Sequence, residues 1–205
     1  MARKRVAVLI SGRGSNMAAL IEAAAAPDYP AEIALVVSNR PDAAGLTRAQ
    51  AVGVPTAVID HRPFGNDRES FERVLDGELE AQRIDLICLA GFMRLLSPWF
   101  VERWSGRMLN IHPALLPQFK GLDTHRRALE AGATRHGATV HFVVPEMDSG
   151  PIVAQDSVPV LADDTQASLA ARVLAVEHRL YPQALRLVAE GRATLASCAE
   201  HQRTR

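Results

Sequence analysis

Five short apolar runs, at residues 5–10, 33–38, 56–59, 85–90 and 107–112, alternate with stretches of helical periodicity at 17–26, 43–52, 68–82 and 98–104. Strands separated by helices return to their sheet through crossovers, and a crossover leaves neighbouring strands parallel. This alternation predicts a mostly parallel sheet with flanking helices. The first unit is the clearest: an apolar strand, a polar glycine-containing turn at residues 12–16, and an alanine-rich helix that ends before Pro27.

After Pro113 the rhythm changes. A Pro- and Gly-containing loop runs to Gly121, and residues 124–130 read as a short helix. The runs at 138–144 and 152–160 are separated only by residues 145–151, a link too short for a crossover, so they predict an antiparallel hairpin. Residues 165–190 carry apolar positions at helical spacing, with room for a bend at Pro182, and would cover one sheet face. The expected fold is therefore α/β and Rossmann-like: a mostly parallel sheet, an antiparallel C-terminal hairpin and flanking helices.

The chain has 205 residues, 48% of them apolar, enough for one substantial core and cramped for two. One domain over 1–205 is expected, built from a βα half at 1–113, a second half of loops, hairpin and long helix at 114–197, and a frayed tail at 198–205. Lys+Arg and Asp+Glu both number 23. No net field draws nucleic acid or an anionic membrane, so a small ligand held by a local site is expected. Cys88 and Cys198 cannot make a disulfide framework, and the scattered histidines lack zinc spacing, so no metal is expected. The apolar run after the basic N-terminus stops at Ser11-Gly12, too early for a signal peptide or membrane span, which predicts a cytoplasmic protein.

Three segments carry chemistry. Ser11-Gly12-Arg13-Gly14-Ser15-Asn16 joins the first strand to the first helix, where backbone N–H groups and the helix dipole can receive a phosphate. It lacks the third glycine of a dinucleotide fingerprint and the Lys-Ser/Thr of a P-loop. A monophosphate fits better, and the competing reading is a plain turn with Ser15 or Asn16 capping the helix. In Asn110-Ile111-His112-Pro113, strand periodicity points Asn110 and His112 to one face and Leu109 and Ile111 to the other, at a strand's carboxyl end where open α/β sheets bind ligands. An Asn amide can donate to an oxyanion and a His can shuttle a proton, a pairing suited to acyl transfer; a structural histidine is the alternative. In Glu146-Met147-Asp148-Ser149-Gly150-Pro151, Asp148 could orient an imidazole and favour its protonated form, or the segment is turn chemistry alone.

At these residues the sequence resembles the folate-dependent formyltransferases. The resemblance runs through Ser11 to Asn16, Ala90-Gly91-Phe92-Met93-Arg94, Asn110-Ile111-His112-Pro113-Ala114-Leu115-Leu116-Pro117, Gly121-Leu122-Asp123-Thr124-His125, residues 137–151, and Glu177-His178 before Tyr181-Pro182. It implies transfer of a formyl group from 10-formyltetrahydrofolate to the amine of glycinamide ribonucleotide, with Asn110, His112 and Asp148 catalytic and no metal. It further implies that Gly14, Ser15 and Asn16 hold the phosphate and that Glu177 lies near the amine or ribose. Arg68, Met93, Arg94, Leu95, Leu96 and Asn110 then contact the folate, with backbone around residues 144–148. For Met93 and Leu96 the competing reading is core packing; for Arg68 and Glu177 it is a solvated helix face.

Two positions depart from the family pattern. Leu174 stands where a glutamine often precedes the family glutamate by three residues, which leaves the side-chain contact to the substrate at that position open. Pro145 varies the acidic loop, which a backbone contact would tolerate. A formyltetrahydrofolate hydrolase is the nearest rival, but such proteins generally carry an N-terminal regulatory domain and the first strand here begins almost at Met1. A methionyl-tRNA formyltransferase would need a further C-terminal domain and a basic surface. A non-catalytic phosphate-ligand module would have no use for the Asn-His-Asp set.

Overall fold

The computed structural model describes residues 2–203. Its elements in chain order are β1 (Lys4–Ile10), α1 (Ser15–Ala24), β2 (Ala31–Ser38), α2 (Ala44–Ala51), β3 (Thr56–Val58), α3 (Arg68–Ala81), β4 (Leu86–Leu89), α4 (Pro98–Arg103), β5 (Met108–His112), α5 (Thr124–Glu130), β6 (Arg135–Phe142), β7 (Ile152–Pro159), α6 (Gln166–Ala189) and α7 (Leu195–Arg203). The strands form one seven-stranded sheet in the order β3-β2-β1-β4-β5-β6-β7. β1 to β5 pair in parallel, whereas β5–β6 and β6–β7 are antiparallel. Strand order reverses at β1, which has β2 on one side and β4 on the other, and the crevice above such a reversal is the usual ligand position in open α/β sheets.

Strand periodicity divides the core in two. Val6, Val8 and Ile10 of β1 face α1, α2 and α6, while Ala7 and Leu9 face α3 and α4. Both faces of β1 are covered, which explains its unbroken apolar run. On α6, Leu169, Val173, Val176, Leu180, Ala184 and Leu185 make a buried stripe at helical spacing. Each large side chain so buried contributes on the order of 1.5–3 kcal/mol. The Tyr181 hydroxyl, fully buried in the same stripe, points at the carbonyl oxygens of Leu89 (3.0 Å) and Leu109 (3.1 Å) and so ties α6 to the end of β4 and the start of β5.

The mixed α/β architecture matches the alternation in the sequence, with local differences. α1 begins at Ser15, two residues before the expected start, because Gly14 sits in the left-handed region at φ 69° and turns the chain into the helix. β6 begins at Arg135, earlier than expected, extended by pairing with β7 down to Arg135 opposite Pro159. A 3-10 turn at Arg62–Phe64 was not expected. α6 continues through Pro182. Of the expected frayed tail at 198–205, residues 198–203 belong instead to α7, and residues 204 and 205 lie outside the described residues. Thr194 Oγ1 accepts the Ser197 N–H (3.2 Å), Ser197 Oγ accepts the Thr194 N–H (3.0 Å), and Leu195 and Cys198 pack against the core.

On β6, the buried His136 ring lies edge-on to His125 (5.2 Å) and to Phe119 (5.8 Å). Burial above all, and then the positive fields of His125 and His112, pull its pKa from 6.5 to about 4. The native state therefore holds His136 neutral. Its contribution to stability is complete above the unfolded value near 6.5 and is lost as pH falls toward 4. Between pH 7 and pH 4 the wild-type protein should lose about 2–3 kcal/mol through this residue. Urea unfolding of His136→Gln at the two pH values should show a correspondingly shallower loss. An equally steep loss in the variant would mean that His136 does not carry the effect.

Candidate active site

The first turn lies at the strand-order reversal. Ser11, directly after β1, is buried, and its hydroxyl donates to Asn39 Oδ1 at 2.6 Å and accepts the Met93 N–H at 2.8 Å. Its own N–H donates to the Gly91 carbonyl at 3.2 Å. The ends of β1 and β4 are thereby stitched together. Gly14 is the N-cap of α1, and no side chain caps the helix. The capping alternative for Ser15 or Asn16 is therefore not what the fold adopts. Ala18 is bonded to the Gly14 carbonyl (3.0 Å), and the N–H groups of Ser15, Asn16 and Met17 before it belong to the first turn, which has no intrahelical acceptor to offer them. Together with the helix dipole they form an electropositive end suited to an anion.

Asn16 turns its side chain elsewhere: Nδ2 donates to Glu177 Oε2 at 2.6 Å, and Oδ1 is buried without a partner. Glu177, on α6, is only 7% exposed, so the solvated-face reading is wrong for it. Burial raises its carboxyl pKa, and the Asn16 amide opposes that rise. Two residues separated by most of the chain thus meet at the first turn of α1.

At the end of β5, Leu109 and Ile111 enter the core beneath α6, and Asn110 and His112 project from the opposite face. His112 Nε2 lies 2.9 Å from the Phe119 carbonyl, and its Nδ1 lies 3.4 Å from Asp148 Oδ2. Asp148 is brought back by the β6–β7 connection with φ 50°, an uncommon conformation for a non-glycine residue. The same Oδ2 accepts the Gly121 N–H at 2.8 Å. Gly150 is what lets this connection lie flat on β6, since a Cβ there would come within 1.7 Å of the Phe142 carbonyl oxygen. Both His112 nitrogens thus face acceptors, and the His112–Asp148 pair is sealed from water at 6% and 10% side-chain exposure.

Two participants have no motif of their own. His141 stands opposite Asn110, and Thr139 opposite His112, in the β5–β6 register. His141 Nδ1 donates to the Phe142 carbonyl (2.9 Å), which leaves Nε2 as an acceptor for Asn110 Nδ2 at 3.2 Å. Burial first of all lowers the His141 pKa, so the ring is held neutral. With one amide hydrogen fixed on His141, the other Nδ2 hydrogen of Asn110 remains for a ligand. The buried Thr139 hydroxyl donates to the Ala114 carbonyl (2.7 Å) and accepts from the Leu116 N–H (3.1 Å), fixing the loop that follows His112. The signal for both residues was cross-strand pairing, legible only once the hairpin's register is known.

The segment after β4 lies beside this edge, because Leu89 is paired with Asn110. Met93 is 71% exposed and Leu95 is 62% exposed, so core packing is wrong for Met93. Leu96 does pack against the core under α3 and α4. The Arg94 guanidinium stacks over the Phe71 ring at 4.9 Å. Arg68, the first residue of α3, is exposed, as the solvated-face reading has it. Glu72, one turn later, is buried and accepts the Ser97 N–H at 2.7 Å. Burial raises the Glu72 pKa, Ser97 opposes the rise, and Arg68 and Arg94 oppose it further from their two elements. Exposed apolar side chains recur across the edge at Leu122 and Met147, a surface that suits a flat apolar ring.

The formyl transferase family profile matches residues 4–185. The chain is 51% identical over 193 residues to the trifunctional purine biosynthetic protein adenosine-3 of Homo sapiens, covering 94% of this chain and 19% of that protein. It spans less than a fifth of that relative's length. It is 45% identical over 192 residues to the phosphoribosylglycinamide formyltransferase of Haemophilus influenzae, covering 94% of this chain and 90% of that one. The crystal structure of phosphoribosylglycinamide formyltransferase from Brucella melitensis superposes with a TM-score of 0.87 at 53% identity, covering 91% of this chain and 96% of that chain. With the family profile running from β1 into α6 and matches that span nearly the whole of two relatives, this chain belongs to the formyl transferase family.

Proposed function

We propose that this chain transfers the formyl group of 10-formyltetrahydrofolate to the amine of glycinamide ribonucleotide, as a cytoplasmic enzyme acting on small molecules. The observation that carries the reading is the convergence of Asn110, His112 and Asp148 on one edge of the sheet whose other landmark is an uncapped helix N-terminus. Similarity to proteins named for this transfer supports the choice of acceptor.

The first turn binds the substrate phosphate through the N–H groups of Gly14, Ser15 and Asn16, and Glu177, held by Asn16, meets the ribose or amine. Arg68 and residues 93–96 line the folate side. The neutral amine attacks the formyl carbon, forming a C–N bond and a tetrahedral oxyanion. Asn110 donates its free amide hydrogen to that oxygen, and the His112 imidazolium stabilises the charge. Asp148 supports the imidazolium while the amine's proton passes to the folate nitrogen and the old C–N bond breaks. The amine is thus formylated and tetrahydrofolate leaves.

Removing His112 should matter for turnover far more than for binding. His112→Ala should lower kcat by about 10²–10⁴-fold with little change in KM, the range for a lost acid–base group. Asp148→Asn, which keeps the shape and removes the charge, should lower kcat in the same direction. Steady-state kinetics on variants with wild-type circular dichroism measure both, and near-normal turnover in His112→Ala would remove the residue from the mechanism.

The phosphate turn generates a separate expectation. Ser15→Asp puts like charge against the substrate at a site whose binding comes from N–H donors and the helix dipole. The KM for glycinamide ribonucleotide should rise by at least about tenfold, while folate affinity, measured by calorimetry, stays close to wild type. Equal weakening of both ligands would mean the turn supports the whole site, and unchanged KM would end the phosphate assignment.

A further inference from the structure

A phosphate monoester near neutral pH carries about −1.5 to −2 charges, and a helix N-terminus offers only about +0.5. The turn itself donates neutral N–H groups, and the nearest buried side chain, Glu177, is a carboxyl. On α6, one turn before His178, Leu174 offers no polar group. A cation must come from another element.

We infer that Arg48 of α2 supplies that cation and binds the phosphate of the acceptor substrate, an assignment that rests on the proposed function. α2 is seated on the turn: the Gly45 N–H donates to the Gly12 carbonyl at 3.0 Å, and a Cβ on Gly14 would lie 3.0 Å from Gly45 Cα. Arg48 is three residues on from Gly45, on the same side of the helix. It lines, with Ser15, Ala18 and His178, a cavity of about 590 Å³ that begins at Ser15, the first residue of α1, and follows the groove between α1 and α6. Arg48 is exposed and makes no hydrogen bond or ion pair with any described residue, so its charge is uncommitted.

The other charged groups around this cavity are less suited. Arg179 is paired with Asp156 at 3.4 Å. His178 has a buried, unpartnered Nε2, and burial lowers its pKa, so it enters the cavity as a neutral ring. Glu22 lies seven residues beyond Ser15, about 10 Å farther along α1 at 1.5 Å per residue, at the end away from the turn. Arg13, within the turn, is exposed but is not among the residues lining the cavity.

The test is a comparison of acceptors that differ only by the phosphate. For glycinamide ribonucleotide, Arg48→Gln should raise KM about tenfold with kcat nearly unchanged, and Arg48→Lys should stay within about threefold of wild type. For the dephosphorylated glycinamide riboside, a poor substrate, wild type and Arg48→Gln should have the same kcat/KM. The wild-type KM for the phosphorylated acceptor should also rise with salt more steeply than that of Arg48→Gln. Normal wild-type transfer with an unchanged KM in Arg48→Gln would overturn the assignment, as would an equal loss on both acceptors, which would mark a structural effect. No transfer by the wild-type protein to glycinamide ribonucleotide would overturn the proposed function instead.

Discussion

The site depends on the reversal of strand direction at β5. Up to that strand the sheet is parallel, and its carboxyl edge presents only what each strand's own loop brings. The antiparallel entry of β6 sets Asn110 against His141 and His112 against Thr139. One pairing fixes which amide hydrogen of Asn110 is free, and the other fixes the loop whose Phe119 carbonyl meets His112. The hairpin that follows returns Asp148 to the same edge, with Gly150 permitting the close approach to Phe142. A one-residue slip of β6 would invert every side chain on it and separate all of these contacts.

The parallel half contributes differently. At the order reversal, Ser11 ties the end of β1 to the segment after β4 through the Gly91 carbonyl and the Met93 N–H. The turn read as a phosphate cradle and the segment read as a folate wall are therefore bonded to one another through a single buried serine. In the same way Glu72 joins the helix that begins at Arg68 to Ser97, the cap of α4. Polar groups taken out of water are costly unless partnered, and here each partner lies on a different segment, so satisfying it fixes one loop against another.

Much of the fold was legible because it rests on local rules. The alternation of apolar runs with helical periodicity reads as parallel crossover topology, and the residues 145–151 link reads as a hairpin. The frayed tail was misread because Thr194 and Ser197 make a reciprocal cap that lies just before the segment in question. Within the site, strand periodicity put Asn110 and His112 on one face, and it was the family resemblance that chose a catalytic over a structural reading of the histidine. Glu177 stands four residues after Val173 and four before Tyr181, on the apolar stripe of α6, so helical spacing marked it as covered, but its partner Asn16, 161 positions away, was not legible. Met93 looks like a core residue by composition, and its exposure follows from the loop's place at the sheet edge. His141 and Thr139 carry signals only through register, which one strand's sequence does not contain.

The central claim is that this edge delivers a formyl group to an amine held by its phosphate. The most direct measurement is mass-spectrometric detection of products after incubation with 10-formyltetrahydrofolate, with glycinamide ribonucleotide, water and methionyl-tRNA competing as acceptors. The account predicts formylated glycinamide ribonucleotide as the main product with only minor formate. Formate as the main product, or formylated methionyl-tRNA, would contradict it.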